Sequence, residues 1–321
     1  MLNIVIATLA SAVFLWVAVH IIPGFLARVG EKTLGVAAAK GNADLMRILL
    51  SLGIEPGTPD PFGLTPLHRA AYQGRVDLVE LLLQRGANPG FPGQGGMTPL
   101  HLATMSGYDQ IVNRLIAAGA PIGSEDTKGR TPLFYAVARN FRPIADSLIA
   151  HGGDIDDRDM LGQSVLHHTI QGGRVESAEL ALALGADPEA ADSTGVRPLH
   201  QAARRGLLSV MDLLLARGAE LQAEALDGQS PLHYAVNGGQ LEAAQLLIER
   251  GAKVNIPMDR GVTPLHAAVI SRNYEMVRLL LERGADINAV TDKGWTPLHY
   301  AASAGESKII KLLTQYGARY T

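Results

Sequence analysis

Thr65-Pro66-Leu67-His68 returns intact at Thr98, Thr263 and Thr296. Altered forms stand at Thr131 (Thr-Pro-Leu-Phe), Ser164 (Ser-Val-Leu-His), Arg197 (Arg-Pro-Leu-His) and Ser230 (Ser-Pro-Leu-His), each step being 33 residues with no insertion or deletion. A Thr or Ser followed by Pro starts a helix, because the hydroxyl accepts a bond from an orphan backbone N–H and Pro fills the first position with its φ already set. A fixed period with a helix start in every copy predicts an all-α repeat solenoid.

Around that start the local signals agree. Thr65 to Gln73 is a short helix with Leu67, Ala70 and Ala71 on one face. Gly74 supplies a turn, and Val76 to Gln84 is a second helix that directs Val76, Val79, Leu82 and Leu83 inward. Gly86 stops that helix, and Gly63 makes the tight turn before the next pair; both recur in register along the chain, as positions needing positive φ do. The first unit, near Lys32-Thr33-Leu34, lacks the Pro and His but keeps the glycine and leucine register, and reads as an atypical terminal repeat covering the end of the stack. Nine units result.

The 33-residue unit, the Thr-Pro-Leu-His-x-Ala start and the end Gly284-Ala285-Asp286-Ile287-Asn288 resemble ankyrin repeats over residues 32–321. The resemblance implies helix pairs with projecting β-hairpin loops, and a concave face that binds other proteins. It implies no chemistry by itself.

The composition excludes several function classes. The net charge of −3 has no long run of either sign, so no nucleic-acid footprint is present, and without cysteine there is neither disulfide nor thiolate site. Ten histidines invite a metal reading, but seven (His68, His101, His167, His200, His233, His266, His299) occupy one motif position, one per repeat, without a second ligand at metal spacing. The resemblance gives that histidine a structural role, bonded to the Thr and to neighbouring backbone. His167 and His168 point about 100° apart on a helix and make a poor chelate. Asp156, Asp157 and Asp159 read as a solvated turn rather than a Ca²⁺ site, and Gly90 to Gly96 lacks the ending of a phosphate loop. No nucleophile, base and orienter recur at a recognisable spacing. The chain therefore reads as a non-enzyme without catalytic residue, metal, cofactor or small-molecule substrate.

Carried onto this chain, the family's concave positions are the hairpin tips and the exposed side of each first helix. They select Phe62, Leu64, Arg69, Tyr72, Met97, Met105, Arg130, Tyr135 and Arg139 in the first half. In the second half they select Met160, Leu161, His168, Arg204, Arg205, Leu226, Tyr234, Trp295 and Tyr300. Tyr, Trp, Met and Arg are the residues of protein-binding hot spots. The fourth and fifth units depart most from the pattern, with Phe134 for His, Val165 for Pro and Thr169-Ile170 for small residues, and are expected to form a softer joint.

Residues 1–27 form a separate hydrophobic segment. No charged side chain occurs from Met1 to Ile22, a run that includes Ile4, Leu9, Phe14, Trp16 and Ile21. As a helix it would reach about 33 Å, against a hydrocarbon core of about 30 Å. No Lys or Arg precedes it, and Ala10-Ser11-Ala12 falls inside it, so it reads as a retained anchor rather than a cleaved signal peptide or a helix packed on the solenoid. Arg28, Lys32 and Lys40 follow it and place the repeats in the cytoplasm. Ala7 with Ser11 and Thr8 with Ala12 offer small-residue spacing for another transmembrane helix. The whole reads as a single-pass membrane scaffold, adaptor or accessory subunit that binds protein partners, the alternative being an exported soluble ankyrin protein.

Overall fold

The computed structural model describes residues 34–319, all in helices and short connections without a β-strand among them. Two helices make each repeat: residues 34–39 (α1) with Ala43–Ser51 (α2), Pro66–Tyr72 (α3) with Val76–Gln84 (α4), and Pro99–Ser106 (α5) with Asp109–Ala117 (α6). Then follow Pro132–Ala138 (α7) with Arg142–Ala150 (α8), Val165–Gln171 (α9) with Val175–Ala183 (α10), and Pro198–Arg205 (α11) with Leu208–Ala216 (α12). The last three pairs are Pro231–Asn237 (α13) with Leu241–Glu249 (α14), Pro264–Ile270 (α15) with Tyr274–Glu282 (α16), and Pro297–Ser303 (α17) with Ser307–Gln315 (α18). The chain divides into two compact units, Met1–Ala136 with Phe141–Asp154 and Val137–Asn140 with Ile155–Thr321. The division falls in the irregular fourth repeat, where the phenyl ring of Phe134 has no nitrogen with which to donate.

The glycines do what their register predicts. All nine stop glycines have φ between 82° and 98°, a region closed to residues with a Cβ except at a cost. In the turn between the two helices of a repeat, the fourth and eighth copies hold Asn140 (φ 59°) and Arg272 (φ 57°) where the others have glycine. The core is Leu, Ala and Val: Leu67, Ala70, Ala71, Leu78, Val79 and Leu82 are fully buried in the second repeat. The inward stripe of α4 is therefore Leu78, Val79 and Leu82, while Val76 and Leu83, expected inside, are half-buried. They lie at the edges of a stripe that must face its own first helix and the neighbouring second helices at once.

One further expectation needs correction. The β-hairpin loops are not strands. Each is pinched by a backbone bond from the residue five before the helix start to the carbonyl one before it, as in Asp60 N–H to Leu64 O, 2.9 Å, and by a return bond from the turn glycine, as in Gly63 N–H to Asp60 O, 2.8 Å. With a positive-φ glycine inside so short a loop, no ladder can grow beyond isolated bridges such as Arg158 with Ser164 and Met258 with Val262. In the first described repeat Val36, Ile48 and Leu52 are 50%, 56% and 61% exposed. The last helix instead turns Ser307, Lys308, Lys311 and Thr314 outward.

The candidate anchor, with Ile4, Leu9, Phe14, Trp16 and Ile21, lies outside the described residues. Among the described residues no helix is long and apolar enough to cross a membrane.

What joins one repeat to the next is the histidine. In the second repeat the Thr65 N–H (3.1 Å) and hydroxyl (2.8 Å) meet His68 Nδ1, and His68 Nε2 donates to the Met97 carbonyl at 3.0 Å. The carbonyl can only accept, so Nε2 carries a hydrogen, and the Thr65 N–H can only donate, so Nδ1 is bare and the ring is neutral. The same bond runs from His101 to Arg130, His167 to Val196, His200 to Gln229, His233 to Val262 and His266 to Trp295, at 3.0–3.3 Å. Burial disfavours the charged ring and lowers the pKa of all six, against a smaller upward pull from the carbonyl each one bonds; His233 falls to about 4.

The folded rings thus take up protons later than the unfolded chain, whose histidines titrate near 6.5. The stability they contribute is complete above pH 6.5 and is lost as pH falls from 6.5 toward 4. Urea midpoints should be lower at pH 5.0 than at pH 7.5; equal midpoints would contradict the neutral buried rings.

Candidate functional site

In four repeats an aspartate stands where it can hold hairpin tip and first helix in register. It stands five residues before the helix start, at Asp60, Asp126, Asp159 and Asp192. In the fifth repeat one carboxylate oxygen of Asp159 accepts from the Leu161 N–H (2.9 Å) and the Gln163 N–H (3.1 Å), and the other lies 2.6 Å from His168 Nε2. Asp60 does the same for Phe62, Leu64 and Arg69, and Asp126 for Lys128, Arg130 and the hydroxyl of Tyr135. Burial works to raise these carboxyl groups, but the bonds they receive outweigh it and hold them below the ordinary aspartate value. Burial and the Asp126 carboxylate together push Tyr135 up to about 12.

Asp159 is therefore no solvated turn residue: its side chain is 3% exposed. The signal was present in the sequence as Asp-x-x-Gly-x-Thr/Ser, with a donor nine residues after the Asp, but no generic motif names it.

This arrangement sorts the expected binding residues. Arg69, Tyr135 and His168 are spent on their own loops. Tyr135, Tyr234 and Tyr300 also stand edge-on to the preceding repeat's histidine, with ring centroids 6.1, 5.1 and 5.7 Å apart. Arg130 lies over the Phe134 ring at 4.9 Å, and Trp295 packs edge-on against Tyr300 at 5.1 Å while remaining 40% exposed. Leu64, Met97 and Met105 are half-buried. What projects freely is Phe62 and Tyr72 in the first unit, at 65% and 63% exposure. In the second unit it is Arg139, Met160, Leu161, Arg204, Arg205 and Leu226.

The second unit also holds a concavity of about 510 Å³, lined by Gln163, Gln171, Asp192, Gln201, Arg204, Arg205 and Tyr234 among others. Most of this lining is polar, and it brings together Gln163, Arg204, Arg205 and Tyr234 of the expected concave positions with Gln171, Asp192 and Gln201, which the sequence does not point to. Among the described residues no group of three or more His, Cys, Asp or Glu side chains stands where it could hold a metal ion.

Models of ankyrin repeats in three copies match residues 12–92, 34–126, 88–159, 133–225, 199–291 and 257–321. The chain belongs to the ankyrin-repeat family. Its repeats make it a protein–protein interaction domain. The first match begins inside the apolar N-terminal segment, earlier than the unit near Lys32. No curated protein matches the chain.

The aspartate clamp is testable without a ligand. Asp159→Ala leaves two backbone N–H groups and the His168 ring without that acceptor, and should cost about 1–3 kcal/mol in urea denaturation. Asp227→Ala, on an exposed tip, should stay within about 0.5 kcal/mol. Equal effects would show that the buried carboxylates do not hold the tips.

Proposed function

We propose that this protein holds a protein partner at a membrane, acting as a scaffold or accessory subunit through the exposed residues of its hairpin tips and first helices. The observation that carries the reading is the contrast between scaffold and surface. The buried histidines bond to the Thr or Ser of their own helix start and to the next loop, and Asp60, Asp126 and Asp159 to their own loops, whereas Phe62, Tyr72, Met160, Leu161 and Leu226 are each more than 60% exposed. Large apolar groups left in water on a rigid frame are what a partner would cover. Action by surface complementarity alone is the reading in keeping with histidines already committed to hydrogen bonds within the fold. Membrane attachment is supported by the uncharged run Met1 to Ile22, and a cytoplasmic repeat domain by Arg28, Lys32 and Lys40 behind it.

A second reading has its own observation. The family match begins at residue 12, and a 33-residue step back from α2 spans residues 10–18. On this reading the apolar run belongs to a preceding repeat that caps the stack, and not to a membrane anchor.

Alkaline extraction of membranes from cells expressing the full chain separates the two: an anchored chain stays in the pellet, and a capped one is released. From the same cells, Phe62→Ala with Tyr72→Ala, or Met160→Ala with Leu226→Ala, should remove a co-purifying protein. Unchanged recovery with both pairs would place binding elsewhere.

A further inference from the structure

The clamp between aspartate and first helix is complete in the second, fourth and fifth repeats, and in the sixth and seventh, which line the concavity of the second unit, its absence leaves polar groups open. In the sixth, Asp192 accepts from Thr194 N–H (2.9 Å), Thr194 hydroxyl (2.7 Å) and Val196 N–H (3.1 Å), while its other oxygen is taken by Gln163 Nε2 at 3.1 Å. The side-chain amide of Gln201, at the position where Arg69, Tyr135 and His168 find their aspartates, makes no hydrogen bond among the described residues. In the seventh repeat the aspartate position is Ala225, so the Tyr234 hydroxyl has no carboxylate of the kind that Tyr135 has.

Gln201 and Tyr234 both face the concavity of the second unit, and Arg204 and Arg205 complete its wall. Neither guanidinium makes an ion pair or a hydrogen bond among the described residues, and both residues are exposed. Their backbone is fixed nonetheless. Gly238 lies so close to α11 that a Cβ there would stand 2.3 Å from the Arg204 carbonyl oxygen. The nearest carboxylate on the wall, Asp192, already has four donors, and these bonds hold it below the ordinary aspartate value against the upward effect of its burial. It therefore remains an anion that accepts, and it offers no proton to an incoming acid.

A free glutamine amide presents one acceptor and two donors, the complement of a peptide bond. Two guanidinium groups without partners present forked donors that match a carboxylate. We propose that this concavity binds an extended peptide segment of a partner protein carrying an acidic side chain. The carboxylate lies against Arg204 and Arg205, and the adjoining backbone meets Gln201 and the Tyr234 hydroxyl. This site rests on the reading that the repeats bind protein, and it names where in the second unit, and by what chemistry.

The test is selection of random ten-residue peptides on the full chain, followed by synthesis of the enriched sequence. A fixed Asp or Glu is expected. Its replacement by Asn or Gln, and Arg204→Gln with Arg205→Gln in the protein, should each weaken binding at least tenfold, and the two together little more than either alone. Arg204→Glu with Arg205→Glu should recover binding of the peptide with Lys at that position, which also shows that the variant is folded. Enriched peptides without an acidic residue, or losses that simply add, would overturn the proposal. So would tighter binding of a phosphoserine in place of the acid, which would make the ligand a phosphopeptide. Peptides insensitive to both arginines but lost on Trp295→Ala or Leu226→Ala would remove this site and leave the protein-binding reading intact. Selection of no peptide at all would overturn both.

Discussion

A neutral imidazole that accepts from one repeat and donates to the next is the bond on which the architecture depends. Its Nδ1 closes the start of its own helix, and its Nε2 fixes a carbonyl in the following loop, as His68 does between Thr65 and Met97. A buried ring left without either partner would cost of order 1–3 kcal/mol. The chain therefore has little freedom in where each loop sits once its helix has formed. The same carbonyls belong to Met97, Arg130 and Trp295, residues at the rim of the exposed face. Packing of the interior thus sets the position of the surface that meets other proteins.

The aspartate clamp adds a second constraint from the opposite side. Where it is complete, as at Asp60, Asp126 and Asp159, the loop and the first helix spend their polar groups on each other. Where it is incomplete, at Gln201 and Tyr234, those groups are left for something else. Function in such a solenoid follows from the places where an internal bond is missing, because rigid neighbours hold the unsatisfied groups in fixed directions and reduce the entropy lost on binding.

The sequence made the scaffold plain for a physical reason: helix caps, stop glycines and a buried Leu–Ala stripe are local demands repeated at one spacing. Leu82, Gly86 and His68 could be placed without coordinates. The exposed positions were less legible. Tyr135 and His168 look like recognition residues, yet they bond to Asp126 and Asp159, and only the folded loop brings those pairs together across nine residues. Gln201 carries no signal in the sequence at all, since its availability depends on Gln163, a residue of the preceding repeat, having already taken Asp192.

The most direct measurement is long-range ¹H–¹⁵N correlation of the histidine rings in the full chain at pH 6. His68, His101, His167, His200, His233 and His266 are expected to be neutral, with the proton on Nε2 and Nδ1 bare. Imidazolium rings, or the opposite tautomer, at these positions would contradict the bond that joins the repeats.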